Sequence, residues 1–344
     1  MIALVLEEYR QLRVQAVETP VPRDTEVLIR VESVGICGSD IHGYDGSTGR
    51  RVPPIIMGHE AAGTIAAVGQ AVSGWSEGDR VTFDSTLYRL DDWYSRRGWY
   101  NLSDGRRVLG VSCDEYRQPG AFAEYVAVPA HVLYRLPDAL SMDHAALTEP
   151  VAVALHGIAL TPVAFGDTVA VLGAGVIGLA TVAGLRRRGC VNIVVSDMVA
   201  SRLEVARAMG ATHTVNPASG ESLLQTCRAL TDGRGADAVI EAVGIQATIS
   251  ESIAAVRRGG TVTILGNLTP EITIPLQRVV AGQIRIQGSC AICNEYPAAL
   301  GMLADGAIPA DRLITAVAPL EEGPALFERL YEGSTDHLKV VLKP

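Results

Sequence analysis

Residues 168–185, TVAVLGAGVIGLATVAGL, run for 18 positions without a charge. That length approaches the roughly 18–20 apolar residues of a membrane-spanning helix. Glycines interrupt it, however, and its pattern changes midway from a β-rich run to helical spacing. A strand, a tight turn and a helix account for it better. The turn is Gly173-Ala174-Gly175-Val176-Ile177-Gly178. In this context the first glycine makes the turn and the second lets backbone approach a pyrophosphate. The third lets the helix pack on the strand, with its N-terminus facing phosphates.

This unit commits the second half of the chain to a parallel sheet. Strand-like runs at Thr168–Leu172, Asn192–Ser196, Ala236–Ala242, Thr261–Leu265 and Gln283–Gln287 alternate with helical stretches at Ser201–Met209, Gly220–Leu230 and Gln246–Val256. Such βαβ alternation predicts a doubly wound sheet. The strand after the glycine turn ends in Asp197, 19 residues beyond Gly178. An acid there accepts hydrogen bonds from ribose hydroxyls and repels a 2′-phosphate, so the expected dinucleotide is NAD rather than NADP. The alternative role for Asp197 is a helix N-cap. Arg202 either holds a 2′-phosphate or, beside Asp197, lies against an adenine. Loops at the carboxyl ends of the other strands add the candidates Val243, Gly244, Leu265, Gly266, Asn267, Ser289, Cys290 and Ala291.

The first 150 residues have a different rhythm. Glu26–Ser33, Gly63–Val68, Arg80–Phe83 and Gly120–Pro129 read as short strands of a barrel-like domain. Between them Asp84–Arg117 mixes both charge signs with Tyr88, Trp93, Tyr94, Trp99 and Tyr100, as a lobe whose aromatics cover an interface or a cleft rim. After Asn294 two short helices, Tyr296–Asp305 and Gly323–Tyr331, and a strand, Leu338–Leu342, are expected to return to the first domain. A length of 344 residues fits two cores. The net charge of −9 argues against nucleic acid or an anionic membrane as partner. Cysteines 37, 113, 190, 227, 290 and 293 lack framework spacing, which points to reduced thiols in a cytosol. The N-terminus MIALVLEEYR has no basic region and reads as no signal peptide.

Gly35–Glu60, GICGSDIHGYDGSTGRRVPPIIMGHE, gathers Cys37, Ser39, Asp40, His42, His59 and Glu60. Thiolate and imidazole suit a zinc ion, and Ser39 and His42 could pass a proton from what the metal holds. Alone, Cys37 would be a buried small hydrophobe and His59 a hydrogen-bonded core histidine. Two ligands cannot close a structural site, but with a third they make an open catalytic one. Glu60 and Glu149, in LTEPVAVALHG, are the candidates for the third. HEAAG is not HExxH, which removes a metalloprotease reading. His131 and His156 have no partner spacing. Cys290 and Cys293 form a lone CxxC, too little for a zinc ribbon and weak as a redox pair.

The order GICGSDIHG, GHE, GDRV, GAFAEY, TEPVAVALHG, GAGVIG, VVSD resembles the zinc-dependent medium-chain dehydrogenases over essentially the whole chain. Glu149-Pro150 makes it most similar to the polyol and sorbitol (L-iditol) dehydrogenase branch. The resemblance implies an α/β fold: a GroES-like β-barrel catalytic domain at 1–153 with a lobe at 84–117, a Rossmann NAD-binding domain at 154–293, and a return at 294–344. It implies that Cys37, His59 and Glu60 ligate zinc, that Glu149 holds a water or exchanges onto the metal, and that Ser39 and His42 form a proton relay. It also implies homo-oligomers, dimers through the sheet edge near 283–287 and tetramers through the lobe.

Two departures stand out. The four cysteines that hold a structural zinc in the family fall at Arg89, Asp92, Ser95 and Ser103, so one zinc is expected per subunit. Where the polyol branch has an Arg-Tyr pair, this chain has Ala291-Ile292. The expected activity is hydride transfer between NAD and a secondary alcohol of a small-molecule sugar, polyol or cyclitol. The alternatives are a zinc-free quinone or enone reductase of the same superfamily and a non-catalytic NAD-binding regulator.

Overall fold

The computed structural model describes residues 1–335 and 337–344, in two compact units. The first comprises Met1–Glu149, Ile292–Gly306 and Ala310–Pro344; the second comprises Pro150–Ala291 and Ala307–Pro309.

In the second unit the strand Thr168–Leu172 is buried at every position, which is why its sequence is a continuous apolar run. It sits mid-sheet between Asn192–Ser196 and Ala236–Glu241. The full order is His213–Val215, Asn192–Ser196, Thr168–Leu172, Ala236–Glu241, Val256–Ile264, Arg285–Gly288. Every pairing is parallel. Numbered along the chain, this is the doubly wound 3-2-1-4-5-6 arrangement. Its switch point lies between the first and fourth strands.

The first unit is built on a seven-stranded sheet. Along it lie Leu133–Arg135, Arg80–Phe83, Glu60–Val68, Glu26–Gly35, Lys339–Lys343 and Ile314–Pro319, with Tyr125–Pro129 also pairing Glu26–Gly35. A second sheet pairs Gln11–Ala16, Ile2–Glu8 and Ile55–Ile56. Leu4, Leu6, Ile29, Met57, Phe83, Phe122 and Phe327 fill the core between them. Apart from Ala307–Pro309, the chain after 294 belongs to this unit, and Val341 and Leu342 pair with Gly35 and Val34.

Some elements depart from the sequence reading. Of Gly120–Pro129 only Tyr125–Pro129 is a strand. Residues 120–122 instead donate their N–H groups to Ile56, Gly58 and Met57, a local irregular pairing that alternation cannot reveal. The helix expected from Gly220 begins at Leu223, because Gly220 ends a turn in left-handed conformation and Ser222 caps the helix. The hairpin Ile2–Glu8/Gln11–Ala16 carried no alternation in IALVL and was not expected as strands.

Candidate functional site

The strand Glu26–Gly35 delivers the chain to Cys37, which opens the short helix Gly38–Gly43. Glu60 begins the strand Glu60–Val68, and its Cα partner in the antiparallel register is Gly35. Two sequence-distant turns therefore meet at one sheet end. There one ligand atom each from Cys37, His59 and Glu60 lies within 4.8 Å of the others. Among the described residues this is the one such trio of Cys, His or acidic groups.

Around the trio the partners divide cleanly. Asp40 Oδ1 accepts from Arg51 Nη2 at 2.9 Å and Nε at 3.2 Å, and its Oδ2 faces the Cys37 N–H at 3.3 Å. His59 Nδ1 lies 3.6 Å from Asp40 Oδ1, while Nε2 lies 3.5 Å from Ser39 Oγ. Nδ1 is buried without a hydrogen-bond partner, so the Asp40 carboxylate acts on the ring through its nearby charge, with the opposite nitrogen turned toward Ser39. Arg51 Nη2 also donates to Ser39 Oγ at 3.3 Å. Glu60 Oε2 accepts from Lys339 Nζ at 2.5 Å, while Oε1 is buried without a hydrogen-bond partner.

Electrostatics mark the trio as incomplete by itself. Desolvation pushes the Cys37 thiol up to about 12, and the Glu60 charge adds to it. Desolvation also pushes the Glu149 carboxyl up to about 8; His59 pulls it down, while Glu60 and Cys37 push it further. Burial opposes the charge of Lys339, yet Glu60 and Cys37 outweigh it and hold its pKa above the ordinary value. A divalent cation relieves such crowding and gives Glu60 Oε1 a partner. The donor set of thiolate, imidazole and carboxylate oxygen fits zinc with one position left open.

Glu149 does not join the trio. It accepts from Ser85 Oγ at 3.2 Å, in a second tier. His42 is exposed and Ser39 is exposed, so this side of the loop faces solvent. His131 packs edge-on against Tyr88, and Cys293 donates to the Gly98 carbonyl, each a packing role.

The dinucleotide candidates form their own cradle. A side chain at Gly178 would meet the Gly173 carbonyl oxygen at 1.8 Å, whereas the space beside Gly175 is open. Helix–strand contact thus requires the third glycine, and the second leaves room for a ligand at the N-terminus of Val176–Arg187. Asp197 accepts from the Ala174 N–H at 2.7 Å and the Val199 N–H at 2.8 Å, so it braces this turn as well. Arg202 is part-exposed on the following helix. At the next strand end the buried Glu241 carboxylate accepts from Val243 and Gly244 N–H groups at 3.0 and 2.8 Å. Leu265 and Gly266 donate to the Glu241 carbonyl. Ser289 Oγ is buried and unpartnered, and Ala291 takes a positive φ beside Cys290.

Sequence reasoning missed Arg51, Glu241 and Lys339. An acid closing the apolar run Ala238–Ile240 of the strand Ala236–Glu241 was a readable signal for Glu241. Arg51 and Lys339 gave none, because each is defined by a partner distant in the chain.

In the lobe, the positions Arg89, Asp92, Ser95 and Ser103 are hydrogen-bonded to one another. Asp92 accepts from the Tyr94 and Ser95 N–H groups at 2.7 and 2.9 Å, from Ser95 Oγ at 3.1 Å and from Ser103 Oγ. The Arg89 N–H reaches Ser103 Oγ at 3.3 Å. Tyr88 stacks on Tyr100 inside, whereas Trp93 and Trp99 are exposed and Arg97 lies over the Trp93 ring at 3.7 Å.

Comparison with known proteins extends this picture. The profile described as Alcohol dehydrogenase GroES-like domain matches residues 23–138, and that described as Zinc-binding dehydrogenase matches residues 176–305. Sorbitol dehydrogenase of Bacillus subtilis (strain 168) is 36% identical over 351 residues, covering 100% of this chain and 97% of its own. Sorbitol dehydrogenase of Gallus gallus is 35% identical, covering 99% and 96%. A zinc-binding dehydrogenase of Sinorhizobium meliloti 1021, solved bound to NADP, superposes with a TM-score of 0.90 at 33% identity, covering 100% of this chain and 99% of that one.

Proposed function

Because the chain belongs to the zinc-dependent medium-chain dehydrogenases, in their polyol dehydrogenase-like branch, we propose that it oxidises a secondary hydroxyl of a sugar, polyol or cyclitol with NAD. The observation that carries this is the Cys37–His59–Glu60 trio, with Glu60 Oε1 buried and unpartnered. Cys37, His59 and Glu60 would hold one zinc, with Glu149 behind them. When bound, zinc supplies a Lewis acid that acidifies the substrate hydroxyl, and the nicotinamide supplies the hydride acceptor.

The chain's own residues then move the proton. Ser39 receives it beside His59, and exposed His42 releases it to solvent by way of the nucleotide. Asp40 sets a negative charge beside His59 and accepts from the Cys37 N–H. Gly175 and the helix N-terminus accept the pyrophosphate, Asp197 takes the adenine ribose, and Arg202 lies against the adenine. Val243, Gly244, Leu265, Gly266, Asn267, Ser289, Cys290 and Ala291 line the rest of the nucleotide path. The S. meliloti relative was solved with NADP. The charge of Asp197 is the reason for assigning NAD here.

The proposal includes a catalytic domain at 1–153, a nucleotide domain at 154–293 and a return at 294–344. It includes one zinc per subunit, since Arg89, Asp92, Ser95 and Ser103 offer no thiolate. The alanine and isoleucine at 291–292 favour a substrate gripped differently from sorbitol. Edge strand Arg285–Gly288 pairs on one side only among the described residues, which supports a homodimer; Trp93 and Trp99 on the lobe support a tetramer. No described helix is long and apolar enough to cross a membrane, and unbridged cysteines support a cytosolic home.

Zinc content of the wild type, Glu60→Ala and Glu149→Ala, with NAD-linked turnover on a panel of polyols, cyclitols and sugar phosphates, tests the proposal. Loss of zinc in Glu60→Ala with retention in Glu149→Ala is expected. Full zinc in both variants, or turnover without zinc, would overturn it.

A further inference from the structure

The trio has a fourth member that no ligand motif contains. Lys339 begins the strand Lys339–Lys343, which pairs with the Glu26–Gly35 strand that leads to Cys37. Its ammonium donates to Glu60 Oε2 at 2.5 Å and to the Ile36 carbonyl at 2.9 Å. The side chains of Lys339 and Glu60 are 4% and 1% exposed, so the pair is closed to water. The space is built for it: a side chain at Gly35 would strike Glu60 Oε2 at 2.4 Å and the Lys339 stem at 3.4 Å.

The two oxygens of Glu60 are thus unlike, one bound by the ammonium and the other buried without a partner. Thiolate, carboxylate and a divalent ion sum to neutral, which weakens a Lewis acid. An ammonium sharing the carboxylate charge returns one positive charge to the centre. It also occupies the oxygen through which Glu60 would otherwise chelate in bidentate fashion.

We propose that Lys339 is a positioning residue that keeps Glu60 a monodentate, partly neutralised ligand through Oε1, holding the zinc site electrophilic and open at the cost of affinity. The inference rests on the reading of Glu60 as a ligand. Lys339 and the metal ion repel each other and draw on the same carboxylate, so removing the lysine charge strengthens the hold on metal.

The test is competitive chelation of purified Lys339→Met, Lys339→Gln, Lys339→Arg and Glu60→Gln, with visible spectra of the cobalt-substituted proteins. Lys339→Gln keeps an N–H donor without the charge, which guards against a variant that merely fails to fold. Zinc is expected to bind at least about tenfold more tightly in Lys339→Met and Lys339→Gln, and within about threefold of wild type in Lys339→Arg. The cobalt d–d bands should lose intensity in the uncharged variants as Glu60 closes on the ion, since four-coordinate tetrahedral cobalt absorbs most strongly. A purely structural lysine predicts looser zinc. Zinc that is looser or unchanged in Lys339→Met and Lys339→Gln would therefore overturn the proposal. Glu60→Gln separates the two levels. If it holds zinc as the wild type does, the ligand reading fails; if it loosens zinc while Lys339→Gln does not tighten it, only the role of Lys339 fails.

Discussion

The Arg51 guanidinium and the Asp40 carboxylate form an ion pair at 2.9 Å with side chains 4% and 0% exposed, one residue deep behind His59. Removing one member of a buried pair leaves the other charge without compensation, which costs about 3–5 kcal/mol. Arg51→Met is therefore expected to lose stability of that order in urea unfolding, and to lose zinc along with it. A loss below about 1 kcal/mol would mean that water reaches Asp40 in place of the guanidinium.

Asp197 accepts two backbone N–H groups as well as standing where a ribose would bind. Asp197→Ala should lower the ratio of NAD to NADP affinity by at least about tenfold, read from dissociation constants for each nucleotide. It should also loosen the glycine turn. Asp197→Asn, which keeps an acceptor oxygen, separates the charge effect from that loosening. An unchanged ratio in both variants would remove Asp197 as the selector.

Asp92 gathers the lobe's turn as a thiolate-bound metal would. Burial raises its pKa, but the hydrogen bonds from Ser103, Ser95 and Tyr94 outweigh burial and hold it below the ordinary carboxylate range. Its folded-state pKa is the lower one, so its contribution is complete above the unfolded value of about 4 and fades as pH falls through the folded value. Asp92→Asn should make the lobe more sensitive to limited proteolysis at pH 7, with the difference from wild type shrinking on acidification. Metal analysis should find one zinc per subunit in both proteins. A second equivalent in the wild type would contradict this account of the lobe.

Asp84 shows the opposite sign. It is almost wholly buried, and desolvation raises its carboxyl to about 7 against the hydrogen bonds from Thr86. The folded state then binds the proton more tightly than the unfolded chain, so stability is lost as pH rises from about 4 to about 7. Asp84→Asn, which still accepts from the Thr86 N–H, should be neutral near pH 4. Above pH 7 it should be more stable than wild type by up to a few kcal/mol, at 1.36 kcal/mol per unit. Thermal melts across that range decide it, and a difference independent of pH would show Asp84 ionising normally.

What the sequence disclosed follows the reach of each interaction. Thr168–Leu172, its glycine turn and Asp197 are local and periodic, and their strand and turn were legible residue by residue. Cys37 and His59 were legible because ligand chemistry limits the residue types. Arg51 is 11 residues from Asp40, and Lys339 is 279 residues from Glu60. Neither spacing has a period, and a cation is ordinarily solvent-exposed, so no local signal marked either residue for the site. Likewise Gly120–Glu124 looked like strand but divides its bonds between the 56–58 turn and the strand Ile2–Glu8, a choice made by tertiary packing.

The register that joins Val341 to Gly35 also sets an order of events in synthesis. A nascent chain displays its thiol, imidazole and carboxylate long before Lys339 exists. Only when the last strand has paired does Lys339 reach Glu60, so the charge balance at that carboxylate is a property of the completed sheet.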